Sequence, residues 1–281
     1  MESPKTALIT GASSGFGLLT SVTLARRGWR VIAAMRDPAH GGVLQEAARA
    51  AGVLGRIEIL PLDVTRNEQI EALAARIAAR PEPLDAVLNN AGYALAGFVD
   101  DISDAELRRQ FDTNFFGSVA VTRAFLPQLR RQHYGRIVMV SSISGRCGFP
   151  GVASYAASKH ALEGWAESLR LELLPLGIYV SLAEPGSFAT NIWARSIQAV
   201  EAALNPASPN AERVARWRKR LENADRRGDP QLVANGIAKI LAEKRPRLRY
   251  LFGTDAKMAV FFRALLPWSF YERIVVKQCE L

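Results

Sequence analysis

Tyr155 and Lys159 stand four residues apart in the run Ser154-Tyr155-Ala156-Ala157-Ser158-Lys159-His160, and apolar residues from Ala161 to Leu174 recur at helical spacing. Positions i and i+4 share a helix face, so the run predicts a phenol beside an ammonium. A cation there stabilises the phenolate and draws the phenol's pKa down from about 10 toward the working pH, where a general acid is most effective. Thirteen residues upstream, Ser142 follows the apolar run Ile137 to Val140. Its hydroxyl could hold a substrate oxygen beside Tyr155. The chemistry such a set offers is proton transfer to or from an oxygen. A lone Tyr-x-x-x-Lys also fits an ordinary amphipathic helix, so the elements around it have to decide.

Thr6 to Thr10 is a short, continuous apolar run, the mark of a strand buried on both faces. Thr10-Gly11-Ala12-Ser13-Ser14-Gly15-Phe16-Gly17 follows and opens a helix reaching about Arg27. Strand, glycine-rich turn and helix together are the context of a dinucleotide loop, although Gly-x-x-x-Gly-x-Gly differs from the usual Gly-x-Gly-x-x-Gly. Glycine lets the backbone approach a pyrophosphate, and the helix start offers it free N–H groups. Gly11, Ser13, Ser14, Gly15, Phe16 and Gly17 are therefore candidate cofactor-binding residues. A second strand spans Arg30 to Met35. An acid at its end would bind a ribose 2′-hydroxyl, whereas an arginine would accommodate a 2′-phosphate. Met35 stands where the acid is expected and Arg36 follows, which favours NADP(H) over NAD(H), with Ser13 as a further donor. Asp37 comes next and complicates the choice; Asp37-Pro38 also reads as the start of a turn.

A helix over 42–51 leads to a third strand, Ile57 to Leu62, with Asp63-Val64 at its carboxyl end. Asp63 could accept from an adenine amine or cap a helix over 67–79. A fourth strand, Leu84 to Leu88, closes on Asn89-Asn90-Ala91-Gly92, which suits either a turn under a cofactor or a plain strand-end turn. Residues 104–131 read as one long helix with Asn114 in its middle, where a buried amide needs backbone or water partners. A fifth strand covers 136–141, and a glycine-rich loop over 143–152 carries Cys147 and could shape a substrate site. A sixth strand, 178–183, ends in the turn Glu184 to Thr190. Residues 191–228 break the alternation and read as a mobile lid over the site or as a solvated helical excursion. Asp229-Pro230 starts a helix ending near Glu243, and 247–252 is a seventh strand.

Of the 281 residues, 49% are hydrophobic and 22% charged, as in soluble globular proteins. No run reaches the ~20 apolar residues of a membrane-spanning helix. Cys147 and Cys279 form no disulfide framework and suit a reducing compartment. Met1 to Lys5 leads straight into a strand, so no signal peptide is expected and a cytoplasmic location is. The net charge of +9 brings nucleic acid and anionic membranes into consideration. Its spread along the chain favours solvated helix faces instead, and nucleic acid is not expected. His40, His133 and His160 are too scattered for a metal site. The tail over 257–276, rich in aromatic and aliphatic residues, could cover the cleft, pack on a partner subunit or rest on lipid. Burial in the core or between subunits is the favoured reading of it.

The joint pattern resembles the short-chain dehydrogenase/reductase family in its compact single-domain branch. The matching residues are Thr10-Gly11-x-x-x-Gly15-x-Gly17, Asp63, Asn89-Asn90-Ala91-Gly92, Asn114, Ser142, Tyr155-x-x-x-Lys159 and Pro185-Gly186-x-x-x-Thr190. A softer likeness, from Arg36-Asp37-Pro38 and the chain's ending, points to members near the 17β-hydroxysteroid and retinol dehydrogenases. The resemblance implies a doubly wound α/β fold with a parallel sheet in the order 3-2-1-4-5-6-7 and helices on both faces. It implies one catalytic domain over 1–255, with the lid at 191–228 and an extension over 256–281. Tyr155 would be the general acid or base and also touch the cofactor, Ser142 would orient a carbonyl, and Lys159 would tune Tyr155 and hold the nicotinamide ribose. Asn114 would anchor a water, and Thr190 would contact the nicotinamide carboxamide. Val64, Asn90, Ala91, Gly92, Pro185 and Gly186 would line the cofactor. The implied activity interconverts a carbonyl and an alcohol on a small hydrophobic substrate with NADP(H), in a homodimer or homotetramer. A non-enzymatic NADPH-binding regulator is the alternative.

Overall fold

The structure is a computed structural model that describes residues 4–190, 192, 208–222 and 227–278. Its strands are β1 (Thr6–Thr10), β2 (Arg30–Met35), β3 (Ile57–Pro61), β4 (Ala86–Asn89), β5 (Gly135–Val140), β6 (Ile178–Pro185) and β7 (Arg249–Phe252). Among the described residues these pair in parallel, in the order β3-β2-β1-β4-β5-β6-β7, as the resemblance implied. The helices are α1 (Gly15–Arg26), α2 (Gly42–Ala50), α3 (Asn67–Ala78), α4 (Asp104–Phe111), α5 (Gly117–Gln132), α6 (Ala153–Leu173), α7 (Ala211–Glu222), α8 (Gln231–Ala242), α9 (Thr254–Leu265) and α10 (Trp268–Gln278).

Two layers of side chains explain why the central strands read as unbroken apolar runs. In β1, Ala7 and Ile9 point into one core with Leu24 of α1, Leu44 of α2 and Ile237 of α8. Leu8 points the other way, into a core with Ile70 of α3, Phe125 of α5 and Leu162 of α6. A strand covered on both faces needs apolar side chains at every position, not at alternate ones. Chain direction across the sheet reverses at β1, which pairs with β2 on one side and β4 on the other. Ligands of open α/β sheets bind at the carboxyl ends of the strands beside such a switch point.

Two features depart from expectation. The helix expected over 104–131 is divided: α4 passes through a five-residue π turn, Asp112–Phe116, into α5. The tail is not buried in the core. Ala256 and Tyr271 are buried there, while Met258, Phe261, Phe262, Leu265, Trp268 and Phe270 are exposed. The expected lid lies largely outside the described residues; its described part includes α7.

Candidate active site

The glycine-rich turn after β1 is bolted to the end of β4. Asn90 Nδ2 donates to Thr10 O at 2.9 Å and to Gly11 O at 3.0 Å. The N–H groups of Asn90 and Ala91 both donate to Thr10 Oγ1 at 3.0 Å. Gly11 has φ +66°, a left-handed conformation, and a Cβ on it would lie 2.8 Å from Ala91 Cα. Gly17 admits no side chain either, since its Cβ would stand 2.4 Å from Gly11 O. Asn89 points elsewhere, donating from Nδ2 to Thr122 Oγ1 at 2.8 Å. Of the paired amides, Asn90 thus builds the loop and Asn89 packs behind it.

This cradle fits a pyrophosphate. The first turn of α1 leaves N–H groups without intrahelical acceptors, and its N-cap, Ser14, makes no side-chain capping bond to them. Beside Gly15 there is space: a Cβ there would find Thr190 Cγ2 no nearer than 3.8 Å. Phe16 meets Phe188 edge-on at 5.9 Å, so the turn after β6 closes on the glycine loop. Pro185 ends β6, and Gly186 abuts the Asp255 carboxylate, which accepts from Ser187 N at 2.7 Å. These contacts bring Gly186 and Thr190 to the same edge as Gly11, Ser13 and Gly15.

At the far side, Asp37 accepts from Ala39 N at 2.9 Å and lies 3.3 Å from His40. Its carboxylate serves the turn, as the reading of Asp37-Pro38 anticipated. Arg36 is exposed at the end of β2. Burial disfavours the Asp63 carboxylate, but hydrogen bonds from Thr65 N (3.0 Å) and Oγ1 (2.7 Å) and the charges of Arg36 and Arg66 outweigh it, so Asp63 titrates below the ordinary range. Asp63 does not cap α3, whose N-cap is Arg66. Val64 packs under Gly117, where a Cβ would come within 2.8 Å of Val64 Cγ2.

Tyr155 and Lys159 lie on α6, both buried, and Ser142 follows β5 by two residues. Tyr155 packs with Ala94 and Val152. Lys159 Nζ donates to Val140 O at 2.8 Å and lies 5.7 Å from the Tyr155 ring centroid. The expectation that Lys159 draws the Tyr155 pKa down is not met. Burial pushes Tyr155 up to about 12, with only a hydrogen bond to Ser142 working the other way. Burial also lowers Lys159 to about 8, against the pull of Glu163. Helical spacing predicted that these groups meet; it carried no information on how dry the site is, and dehydration prevails. Tyr155 is therefore a neutral phenol across the physiological range, held by Ser142 and backed by an amine largely protonated at pH 7.

Asn114 sits in the π turn with no exposed surface. Its Nδ2 donates to Tyr93 O at 2.9 Å and to Ser158 Oγ at 3.2 Å, and its Oδ1 accepts from Tyr93 N at 3.0 Å. Single π turns recur at functional sites. Here the turn aims the amide at the backbone of Tyr93, just after Gly92. A Cβ on Gly92 would lie 3.0 Å from Asn114 Oδ1 and 3.8 Å from Lys159 Nζ. Asn114, Gly92 and Lys159 thus converge.

Behind Lys159 is a charged cluster that sequence reading did not find. Glu184 of β6 has no exposed surface, and Glu163 lies one turn along α6 from Lys159. Arg249 Nε reaches Glu163 at 3.1 Å and Glu184 at 3.3 Å, and Arg146 reaches Glu184 at 3.4 Å. Two buried carboxyls side by side cannot both ionise freely. Burial and the neighbouring Glu163 raise Glu184 to about 7, and burial raises Glu163 as well. The folded chain then holds a proton that the unfolded chain has released, so stability falls as pH rises from about 4.5 to about 7. Urea unfolding of the wild type is expected to show this loss, of order 2 kcal/mol. Glu184→Gln cannot ionise and is expected to flatten it; an unchanged slope would contradict the shared proton. Cys147, on the neighbouring loop, is buried, and burial pushes its thiol up, so it is no activated nucleophile.

A doubly wound sheet with an anion cradle at its switch point and a Ser-Tyr-Lys group on the next strand and helix defines a dinucleotide-dependent oxidoreductase. The family model described as short chain dehydrogenase matches residues 5–201, and the chain belongs to that family. It is 42% identical to an uncharacterized oxidoreductase, YusZ, of Bacillus subtilis (strain 168), over 98% of each chain. It is 36% identical to retinol dehydrogenase 8 of Bos taurus, covering 95% of this chain and 87% of that one. A short chain dehydrogenase/reductase from Burkholderia phymatum, solved in complex with NAD, superposes with a TM-score of 0.79 at 29% identity, over 94% of this chain and 95% of that one.

Proposed function

We propose that the chain reduces the carbonyl of a small apolar substrate to an alcohol, and runs the reverse reaction, with NADP(H) as cofactor. The observation that carries this reading is the buried Tyr155 hydroxyl, hydrogen-bonded to Ser142 and backed by Lys159. When bound, the cofactor supplies a hydride. Gly11, Ser14, Gly15, Phe16 and Gly17 would hold its pyrophosphate, Arg36 and Ser13 a 2′-phosphate, and Asp63 with Val64 its adenine. Asn90, Ala91 and Gly92 would underlie it, and Pro185, Gly186, Thr190 and Lys159 would fix the nicotinamide end.

The chain's own part is to orient and to move a proton. Ser142 fixes the substrate oxygen through a hydrogen bond while Tyr155 Oη gives up its proton to that oxygen. A phenol of high pKa is a reluctant donor, so the adjacent ammonium of Lys159 is needed to stabilise the phenolate that forms. Asn114, lined up behind Lys159, would hold a water through which the proton is replaced. The apolar neighbours of Tyr155, Ala94, Val152 and Phe149, suit an apolar substrate, as does the likeness to a retinol dehydrogenase.

The test is turnover of a panel of apolar aldehydes and ketones with NADPH and NADH, followed by loss of cofactor absorbance. Dinucleotide binding with no turnover on any substrate would favour the regulatory alternative. For the cofactor, tighter NADPH than NADH binding is expected by fluorescence titration, and Arg36→Ala is expected to cost NADPH about tenfold, the loss of roughly one charge-assisted contact. Tighter NADH binding by the wild type would overturn the NADP(H) preference.

A further inference from the structure

The outer faces of α9 and α10 carry a pattern that folding does not use. On α9, Met258, Phe261, Phe262 and Leu265 follow the i, i+3, i+4, i+7 spacing of an apolar helix face. That face normally turns inward, yet these residues are 40% to 64% exposed. Trp268 and Phe270 of α10 are exposed too, at 57% and 58%. The two helices are nevertheless held in place from the other side. Asp255 accepts from Ser187 N, Ala256 is fully buried, and Tyr271, 5% exposed, sets its hydroxyl against the Cys147 thiol. The exposed apolar face is thus a fixed surface of the domain, attached to the loop that follows Ser142.

Four cations accompany it: Lys257, Arg263, Arg273 and Lys277 are all exposed. Arg263 lies over the Trp268 ring at 4.8 Å. Against them stand Glu272 and Asp255, the latter engaged by Ser187. Aromatic and aliphatic residues on one face with Lys and Arg alongside are the composition of a helix that lies in a lipid interface. Among the described residues no helix is long and apolar enough to cross a membrane, and α9 and α10, at 12 and 11 residues, suit its surface. A second copy meeting this face about a two-fold axis would set the cations against their own images. An anionic bilayer sets them against opposite charge.

We propose that α9 and α10 form a docking surface for an anionic lipid membrane, with Met258, Phe261, Phe262, Leu265, Trp268 and Phe270 entering the interface and Lys257, Arg263, Arg273 and Lys277 meeting the headgroups. Docking brings the loop carrying Cys147, and with it the candidate site, to the surface in which apolar carbonyl compounds dissolve.

The full chain is to be sedimented with phosphatidylglycerol/phosphatidylcholine vesicles and with phosphatidylcholine vesicles alone. Retention on the anionic vesicles is expected, weakened at least tenfold by high salt or on neutral lipid. Phe261→Glu and Trp268→Glu are expected to weaken it at least tenfold, and Lys257→Glu with Lys277→Glu to remove most of its salt dependence. The apolar-face variants are expected to keep the wild-type melting temperature and NAD(P)H turnover on a soluble carbonyl substrate, which separates failure of docking from failure of the proposed reaction. Absence of sedimentation on anionic vesicles overturns the proposal. So does light scattering that shows a wild-type dimer turned into a monomer by Phe261→Glu, which would assign the face to a second copy.

Discussion

Tyr155→Phe is expected to lower kcat/KM for carbonyl reduction by about 10²–10⁴-fold, the usual contribution of a positioned general acid, with a far smaller change in dinucleotide affinity, since the other cofactor-binding residues are untouched. The phenyl ring retains the packing against Ala94 and Val152, so the variant is expected to fold. What it loses is the only proton on that side chain able to reach a substrate oxygen held by Ser142. A cavity-forming change such as Tyr155→Ala would confound the two effects, which is why the isosteric ring is the informative one. Initial rates and fluorescence titration of the cofactor on the same preparation separate chemistry from binding. Equal turnover by the two proteins would remove Tyr155 from the mechanism. Because the wild-type phenol is pushed up to about 12, its ionisation is not expected to set any feature of the rate profile near neutrality.

Gly17→Ala is expected to weaken dinucleotide binding by tenfold or more and to destabilise the chain by about 1–3 kcal/mol, the usual cost of overpacking a fitted interior. Its new methyl would stand 2.4 Å from Gly11 O and 2.5 Å from Asn90 Nδ2. Both are parts of the clamp that shapes the loop, so relief of the clash must move either the turn or the amide that fixes it. Gly42→Ala is the matched control. Gly42 has right-handed helical geometry at the start of α2, and a Cβ there meets nothing within 4 Å. In such a site alanine is neutral or slightly stabilising. Thermal melting and cofactor titration of the two variants check the contrast; equal behaviour would show that the loop tolerates expansion.

Much of this architecture could be read before any coordinates. Buried parallel strands announce themselves as continuous apolar runs, and β1, β2 and β5 lie within a residue of where their runs predicted. The glycine spacing after β1 marked a turn of close backbone approach, which admits few residue types, and the structure has that approach at Gly11 and Gly17. The order of the strands came from the resemblance, since local pattern says nothing about which strands neighbour one another. Four features escaped reading for distinct reasons. The π turn at Asn114 depends on one extra residue in a helix whose propensities run smoothly through it. The Glu163, Glu184, Arg146 and Arg249 cluster joins residues up to 103 positions apart, each of which alone reads as an ordinary surface charge. The tail's stripe at α9 was visible, but amphipathic spacing reveals that a face exists and not which way it turns. The direction of the Tyr155 shift was missed because proximity to a cation is legible at i+4 and dehydration is not.

Arg249 belongs to β7, the last strand among the described residues, yet its guanidinium pairs with carboxyls on α6 and β6 beside Lys159. A chain leaving the ribosome exposes Tyr155 and Lys159 some ninety residues before Arg249 follows. Until that arginine docks, Glu163 and Glu184 lack the guanidinium they share. The carboxyl pair beside Lys159 therefore gains that partner only once the closing strand has been made.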